Sequence, residues 1–178
     1  MKTTGQTFPN YDLVGVASSD ASDAFGSFQP ASSAGRWRVF VFYPKDFTFV
    51  CPTELVGFGE LQAEFDDRDA DLFGVSTDSE YVHLAWRQHH EGVGGLPYPL
   101  LSDLKRELSE ELGVLDDEGV ARRATYIVDP EGFIRYASVH DGSVGRNPAE
   151  VLRVLDALQT DELCPCNWQK GDATLEVA

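Results

Sequence analysis

No stretch of the chain stays apolar for longer than Val39 to Tyr43, far short of the roughly 20 residues a membrane-crossing helix needs. The opening residues MKTTGQTFPNYDL lack the apolar segment of a secretion signal. Basic residues are scarce: 14 Lys and Arg against 30 Asp and Glu leave a net charge of −16. Such a surface repels phosphate backbones and anionic lipid alike, which argues against nucleic acid or a membrane as partner. Cysteine is scarce too. Three in 178 residues are too few to staple a fold, and an odd number leaves at least one thiol unpaired within the chain. The protein therefore reads as cytoplasmic, with cysteines that serve thiol chemistry, metal binding or packing. A chain of this length buries roughly 70% of its unfolded surface, enough for one domain with a sizeable core.

Residues 17 to 35 are rich in Ser, Ala and Gly without an apolar period and read as a loop. Arg36 to Tyr43 is a near-continuous β-branched and aromatic run, the pattern of a strand covered on both faces, and Pro44 ends it. Leu55, Phe58, Leu61 and Phe65 recur at three- and four-residue spacing, which predicts one amphipathic helix over residues 51 to 67. Pro52 sits where a first helical turn accepts it. Further elements follow: a strand over Asp71 to Thr77, helices over Glu80 to His90 and Asp103 to Leu112, and a hairpin of Ala124 to Asp129 with Phe133 to Val139. A last helix begins at Asn147, with Pro148 at its first position and Glu150 completing a capping-box-like signal. Strands alternating with helices and closing in a hairpin predict an α/β sandwich, a mixed central sheet flanked by helices. One domain over residues 1–160 is expected, followed by an irregular C-terminal tail over 161–178.

The chemistry concentrates around Cys51, where a buried strand hands over to a helix. A thiol there faces the free N–H groups and positive end of the helix, which favour a thiolate. An unperturbed cysteine is about 3% thiolate at pH 7, so complete ionisation gains at most ~30-fold in reactive fraction. A fast oxidant-reducing thiol therefore also needs donors aimed at charge that develops during attack. The Thr48 hydroxyl and a fixed guanidinium are available. Competing readings are a small buried hydrophobe, a Cys-His pair for acyl transfer, and a metal pair formed by Cys164 and Cys166 with scattered histidines. A dithiol oxidoreductase would require a second cysteine at position 54, which is Glu.

The stretches FYPKDFTFVCPTE, LGVLDDEGVARRATYIVDPEG, SVGRNPAEVLRVLDALQ and CPCNW followed by KGDATL cover nearly the whole chain. On these motifs the sequence resembles the peroxiredoxins, specifically the two-cysteine members of the alkyl hydroperoxide reductase C type. The resemblance implies a thioredoxin-like sandwich and a thiol-dependent peroxidase acting on hydrogen peroxide and organic hydroperoxides without a cofactor. It implies that Cys51 attacks the peroxide, that Thr48 hydrogen-bonds sulfur and peroxide, that Pro44 shields the pocket, and that Arg123, not Arg122, stabilises the reacting charge. Glu54 and Arg146 match a glutamate and second arginine of the same network, and Trp86 an aromatic at the pocket margin. Cys164 matches the resolving cysteine and Cys166 a further redox thiol of the subgroup with a Cys-x-Cys tail. The resemblance further implies a homodimer with an interchain Cys51–Cys164 disulfide, a ring of five or six dimers, and a dithiol reductant such as thioredoxin or an AhpD-type protein. Residues 94 to 97 read Gly-Gly-Leu-Pro where oxidation-sensitive members carry a second glycine pair. The helix of Cys51 is thus expected to lack a brace, and disulfide formation to outrun overoxidation.

Overall fold

Val39, Val41 and Tyr43 point to one face of strand β3 (Trp37–Phe42) and its exit, while Phe40 and Phe42 point to the other, and all five are buried. A strand with two apolar faces must be covered twice. In the computed structural model, which describes residues 1–176, β3 accordingly lies inside a seven-stranded mixed sheet. Strands β1 (Leu13–Val16), β2 (Phe25–Phe28), β4 (Ala70–Ser76), β5 (Leu100–Ser102), β6 (Arg123–Val128) and β7 (Ile134–His140) complete it in the order β2-β1-β5-β4-β3-β6-β7. The β3, β4 and β5 strands run parallel, and the remaining pairings are antiparallel.

One face is covered by α1 (Cys51–Gly59), α2 (Gln62–Asp66), α3 (Glu80–His89) and α6 (Pro148–Gln159), whose Leu55, Phe58, Phe65, Trp86, Val151 and Leu155 share a core with Val39, Val41 and Leu72. The other face is covered by α5 (Glu107–Leu112) and the N-terminal Phe8 and Tyr11, packed on Phe40, Phe42, Phe73 and Tyr126. A short helix α4 (Glu91–Gly94) leads into β5.

Several boundaries differ from the sequence expectation. The helix expected over 51 to 67 is two helices. Gly59 weakens its end, and the chain is pressed there: a Cβ on Gly59 would stand 3.1 Å from Pro97 Cδ. The loop expected over 17 to 35 contains β2 and a 3-10 turn at Pro30–Ser33. Glu107, not Asp103, opens α5; Asp103 instead accepts the Leu108 and Ser109 N–H groups, satisfying donors that a helix start leaves free. Asn147 caps α6 by accepting from the Ala149 N–H, but Glu150 pairs with Arg153 and forms no capping box. The hairpin turns at Gly132, whose φ of 91° suits a residue without Cβ.

After α6 the described part of the tail contains neither helix nor strand. It is nonetheless docked: Trp168 is 4% exposed, and Arg153 Nη1 donates to its carbonyl at 2.9 Å. Val177 and Ala178 lie outside the described residues.

Candidate active site

The exit of β3 and the start of α1 bracket a seven-residue connection, 44 to 50, and its geometry follows from two carboxylates, buried Asp46 and half-buried Asp78. Pro44 has no N–H to extend the ladder. Asp46 accepts from the Tyr43 hydroxyl at 2.8 Å and meets His83 Nδ1 at 2.7 Å, with His83 fully buried. The Asp46 N–H in turn donates to Asp78 Oδ2 at 2.9 Å. So anchored, the chain turns at Phe47, which takes a left-handed φ of 55°, unusual for a bulky residue. The Phe47 ring tilts against buried Trp86 with centroids 6.0 Å apart. The connection therefore delivers Cys51 to the first position of α1, wholly buried.

What meets the sulfur there is an arginine. Arg123, at the start of β6, places Nη1 3.4 Å from Cys51 Sγ. The same nitrogen donates to Glu54 Oε2 at 2.6 Å, and Nε donates to the Gly142 carbonyl at 2.8 Å. Glu54 is one helical position short of a full turn from Cys51, so both project toward the sheet end. Its other partner is Arg146, which donates to it through the backbone N–H at 2.9 Å, Nε at 2.8 Å and Nη2 at 3.0 Å. Arg146 Nη1 is spent on the Ala124 carbonyl and Thr125 hydroxyl of β6. Burial alone would raise the Glu54 carboxyl, but the hydrogen bonds and charge of Arg146, joined by Arg123, hold it below its ordinary 4.5. Burial would likewise lower Arg123, yet Cys51 and Glu54 together raise it.

Thus Cys51, Arg123, Glu54 and Arg146 gather in one buried cluster. Arg122 points away and is exposed, as alternation along a strand requires. Thr48 stands apart from the sulfur in one respect: its hydroxyl donates to the Lys45 carbonyl at 2.8 Å. Pro44 is half-buried, and Trp86 belongs to the core, supporting the loop through Phe47.

Cys164 is half-buried near the Thr160 hydroxyl and the Ala157 carbonyl, Cys166 is exposed, and all three thiols are free. Cys51 has no described histidine partner, since the His83 nitrogens face Asp46 and the Leu101 carbonyl and His90 caps α4. Among the described residues no three His, Cys, Asp or Glu side chains gather as metal ligands. The Tyr43–Asp46–His83 network was not foreseen; its one signal is three polar groups embedded in otherwise apolar or loop segments.

A thiol thus lies under a guanidinium at a strand-to-helix junction. Residues 4–137 match the family described as AhpC/TSA. The chain belongs to that family. It is 54% identical over 181 residues to alkyl hydroperoxide reductase C of Mycolicibacterium smegmatis, covering 97% of this chain and 93% of that protein. A solved structure of Mycobacterium bovis AhpC superposes with a TM-score of 0.87 at 51% identity, covering 95% of this chain and 99% of the other. The reduced 2-Cys peroxiredoxin of Plasmodium vivax gives 0.91 at 32% identity, covering 98% and 93%. The fold is therefore the thioredoxin-like sandwich of the peroxiredoxins, and this member of the AhpC/TSA family is a thiol-dependent peroxidase.

Proposed function

We propose that Cys51 is the nucleophile that reduces hydrogen peroxide and organic hydroperoxides. The observation that carries this is the Arg123 guanidinium, 3.4 Å from Cys51 Sγ and fixed by Glu54 and the Gly142 carbonyl. The sulfur attacks the terminal peroxide oxygen, the O–O bond breaks, and the departing oxygen takes a proton to leave as water or alcohol. Cys51 is left as a sulfenic acid. A guanidinium already in place stabilises the charge that moves from sulfur to oxygen without reorganising during the step. With its own proton committed to the Lys45 carbonyl, the Thr48 hydroxyl offers lone pairs, which suit it to accept the O–H of the hydroperoxide. Pro44 walls the site. Phe47 and Phe49 are exposed beside it and offer apolar surface to an alkyl group.

Cys164 then attacks the sulfenyl sulfur; an S–S bond forms, the S–O bond breaks and water leaves. Cysteines join only when their Cα atoms come within about 7 Å, so buried Cys51 must be uncovered and the tail undocked. The partner thiol is read as that of a second chain in a homodimer. Two features support self-association: β7 is the last strand of the sheet, bonded on its outer side to Gly5 and Gln6 at Ile134 and bearing exposed Val139 further along, and Phe49 is 95% exposed. Closure into a ring of five or six dimers is the further reading. Cys166, more exposed than Cys164, suits exchange with an external dithiol such as thioredoxin or an AhpD-type protein. Three free thiols suit a reducing cytoplasm, and no helix among the described residues is long and apolar enough to cross a membrane.

The test is turnover with a dithiol reductant supplied. Cys51→Ser is expected to abolish peroxide consumption; Cys164→Ser is expected to keep one stoichiometric turnover and lose the interchain disulfide on non-reducing gels. Wild-type rates from Cys51→Ser would overturn the reading.

A further inference from the structure

Cys51 occupies the first position of α1 and is wholly buried, so the proposed disulfide step needs that end of the helix to open. Whatever holds α1 closed then governs how long the sulfenic acid waits. A buried hydroxyl holds it. Tyr98, on the connection between α4 and β5, is 3% exposed, and its phenol donates to the Leu55 carbonyl at 2.7 Å. Leu55 lies one helical turn after Cys51.

The donor is itself fixed. Arg87 of α3 is buried and spends its guanidinium on the carbonyls of Leu96 and Tyr98, on the same connection. Pro97 and Pro99 flank Tyr98 and restrict its backbone. Pro97 also presses on the end of α1, since a Cβ on Gly59 would stand 3.1 Å from its Cδ. Burial raises the Tyr98 phenol, so it stays protonated and a donor at neutral pH. A strut thus runs from α3 through the connection to the catalytic helix, and none of its hydrogen bonds reaches the sulfur.

We propose that Tyr98 is a positioning residue: its bond to Leu55 sets the opening equilibrium of α1 and thereby divides the Cys51 sulfenic acid between two fates. In the open form, Cys164 attacks the sulfenyl sulfur, the S–S bond forms and water leaves. In the closed form, a second hydroperoxide transfers an oxygen to the same sulfur, its O–O bond breaks, and water or alcohol leaves behind a sulfinic acid. This inference rests on the peroxidase reading and deepens it. A bond made in the closed form and lost in the open one biases the equilibrium by about fivefold, the net value of one ordinary hydrogen bond.

The test compares full-length wild type with Tyr98→Phe, which removes only the hydroxyl. Rapid quench with hydrogen peroxide and mass spectrometry follows sulfenate, disulfide and sulfinate at Cys51. The expected result is an unchanged rate of sulfenate formation, disulfide formation about fivefold faster, and a sulfinate fraction reduced in proportion. Amide exchange gives a readout independent of catalysis: residues 51–59 are expected to exchange about fivefold faster in Tyr98→Phe, with β3 and β4 unchanged. An unchanged disulfide rate, or a fall in sulfenate formation, would overturn the proposal. Wild type that forms no sulfenate at Cys51 would overturn the peroxidase reading, whereas a failure of Tyr98→Phe alone leaves that reading standing.

Discussion

Arg146 grips Glu54 through three hydrogen bonds, from its backbone N–H, Nε and Nη2, and so turns a buried glutamate into the platform on which Arg123 meets Cys51. The platform joins the start of α1 to the start of β6 and to the segment before α6. Removing its charge is expected to loosen everything that depends on it.

Glu54→Gln keeps the size of the side chain and removes the charge facing two guanidinium groups. A misplacement of Arg123 by about 1 Å is expected to slow oxidation of Cys51 roughly 10- to 100-fold, measured by stopped flow under single-turnover conditions. The pH dependence of stability carries a second signature. The Glu54 carboxyl sits below its unfolded value of 4.5, so its contribution is complete above that pH and is lost as pH falls through the lower, folded value. Urea titrations of wild type between pH 3 and 6 are expected to show that loss, and Glu54→Gln a shallower slope over the same range.

Arg123→Lys preserves the charge and loses the fork. A lysine cannot serve Cys51, Glu54 and the Gly142 carbonyl together. The loss of a preorganised donor is expected to cost about 10²- to 10³-fold in the oxidation step. Arg122→Lys, on the exposed side of the strand, is expected to change that rate less than twofold, and the pair of rates decides between the two arginines.

His83→Ala is expected to act on stability and loop position together. It leaves buried Asp46 without one of its two side-chain donors and opens a cavity, at a cost of about 2–4 kcal/mol by denaturant unfolding. His83→Gln, able to donate to Asp46, is expected to recover about half of that cost and most of the peroxide rate.

How much of this was legible in the sequence depends on how local each feature is. The β3 run and the start of α1 at Cys51 could be read directly, because burial on both faces and a strand-to-helix junction each leave a contiguous pattern. Strands β1 and β5 could not: Leu13–Val16 and Leu100–Ser102 are short, and long-range pairing with each other specifies them more than their composition. The apolar period runs unbroken through Leu61 to Phe65 although the helix breaks at Glu60 and Leu61, and only Pro97, distant in sequence, shows why it ends there. At the site, the thiol and its helix were readable from spacing. The choice of Arg123 over Arg122 came from resemblance, because two adjacent arginines carry no sign of which faces inward. The contact itself spans 72 residues of sequence. The Tyr43–Asp46–His83 anchor and the Tyr98 strut were illegible because each polar group alone resembles a surface residue until the fold buries it.

Trp168→Ala is expected to release the tail from α6, where the ring is buried and Arg153 holds its carbonyl. Trypsin cleavage after Lys170 and alkylation of Cys164 are expected to accelerate at least severalfold, with the rate of Cys51 oxidation unchanged.

The central claim, that a sulfur under a fixed guanidinium takes an oxygen from peroxide, is tested most directly by intact-protein mass after one equivalent of hydrogen peroxide is added to Cys164→Ser, Cys166→Ser protein. The account predicts a gain of one oxygen, about 16 Da, mapped to Cys51 and slowed at least 100-fold by Arg123→Lys. Oxygen found elsewhere, or an equal rate in the arginine variant, would contradict it.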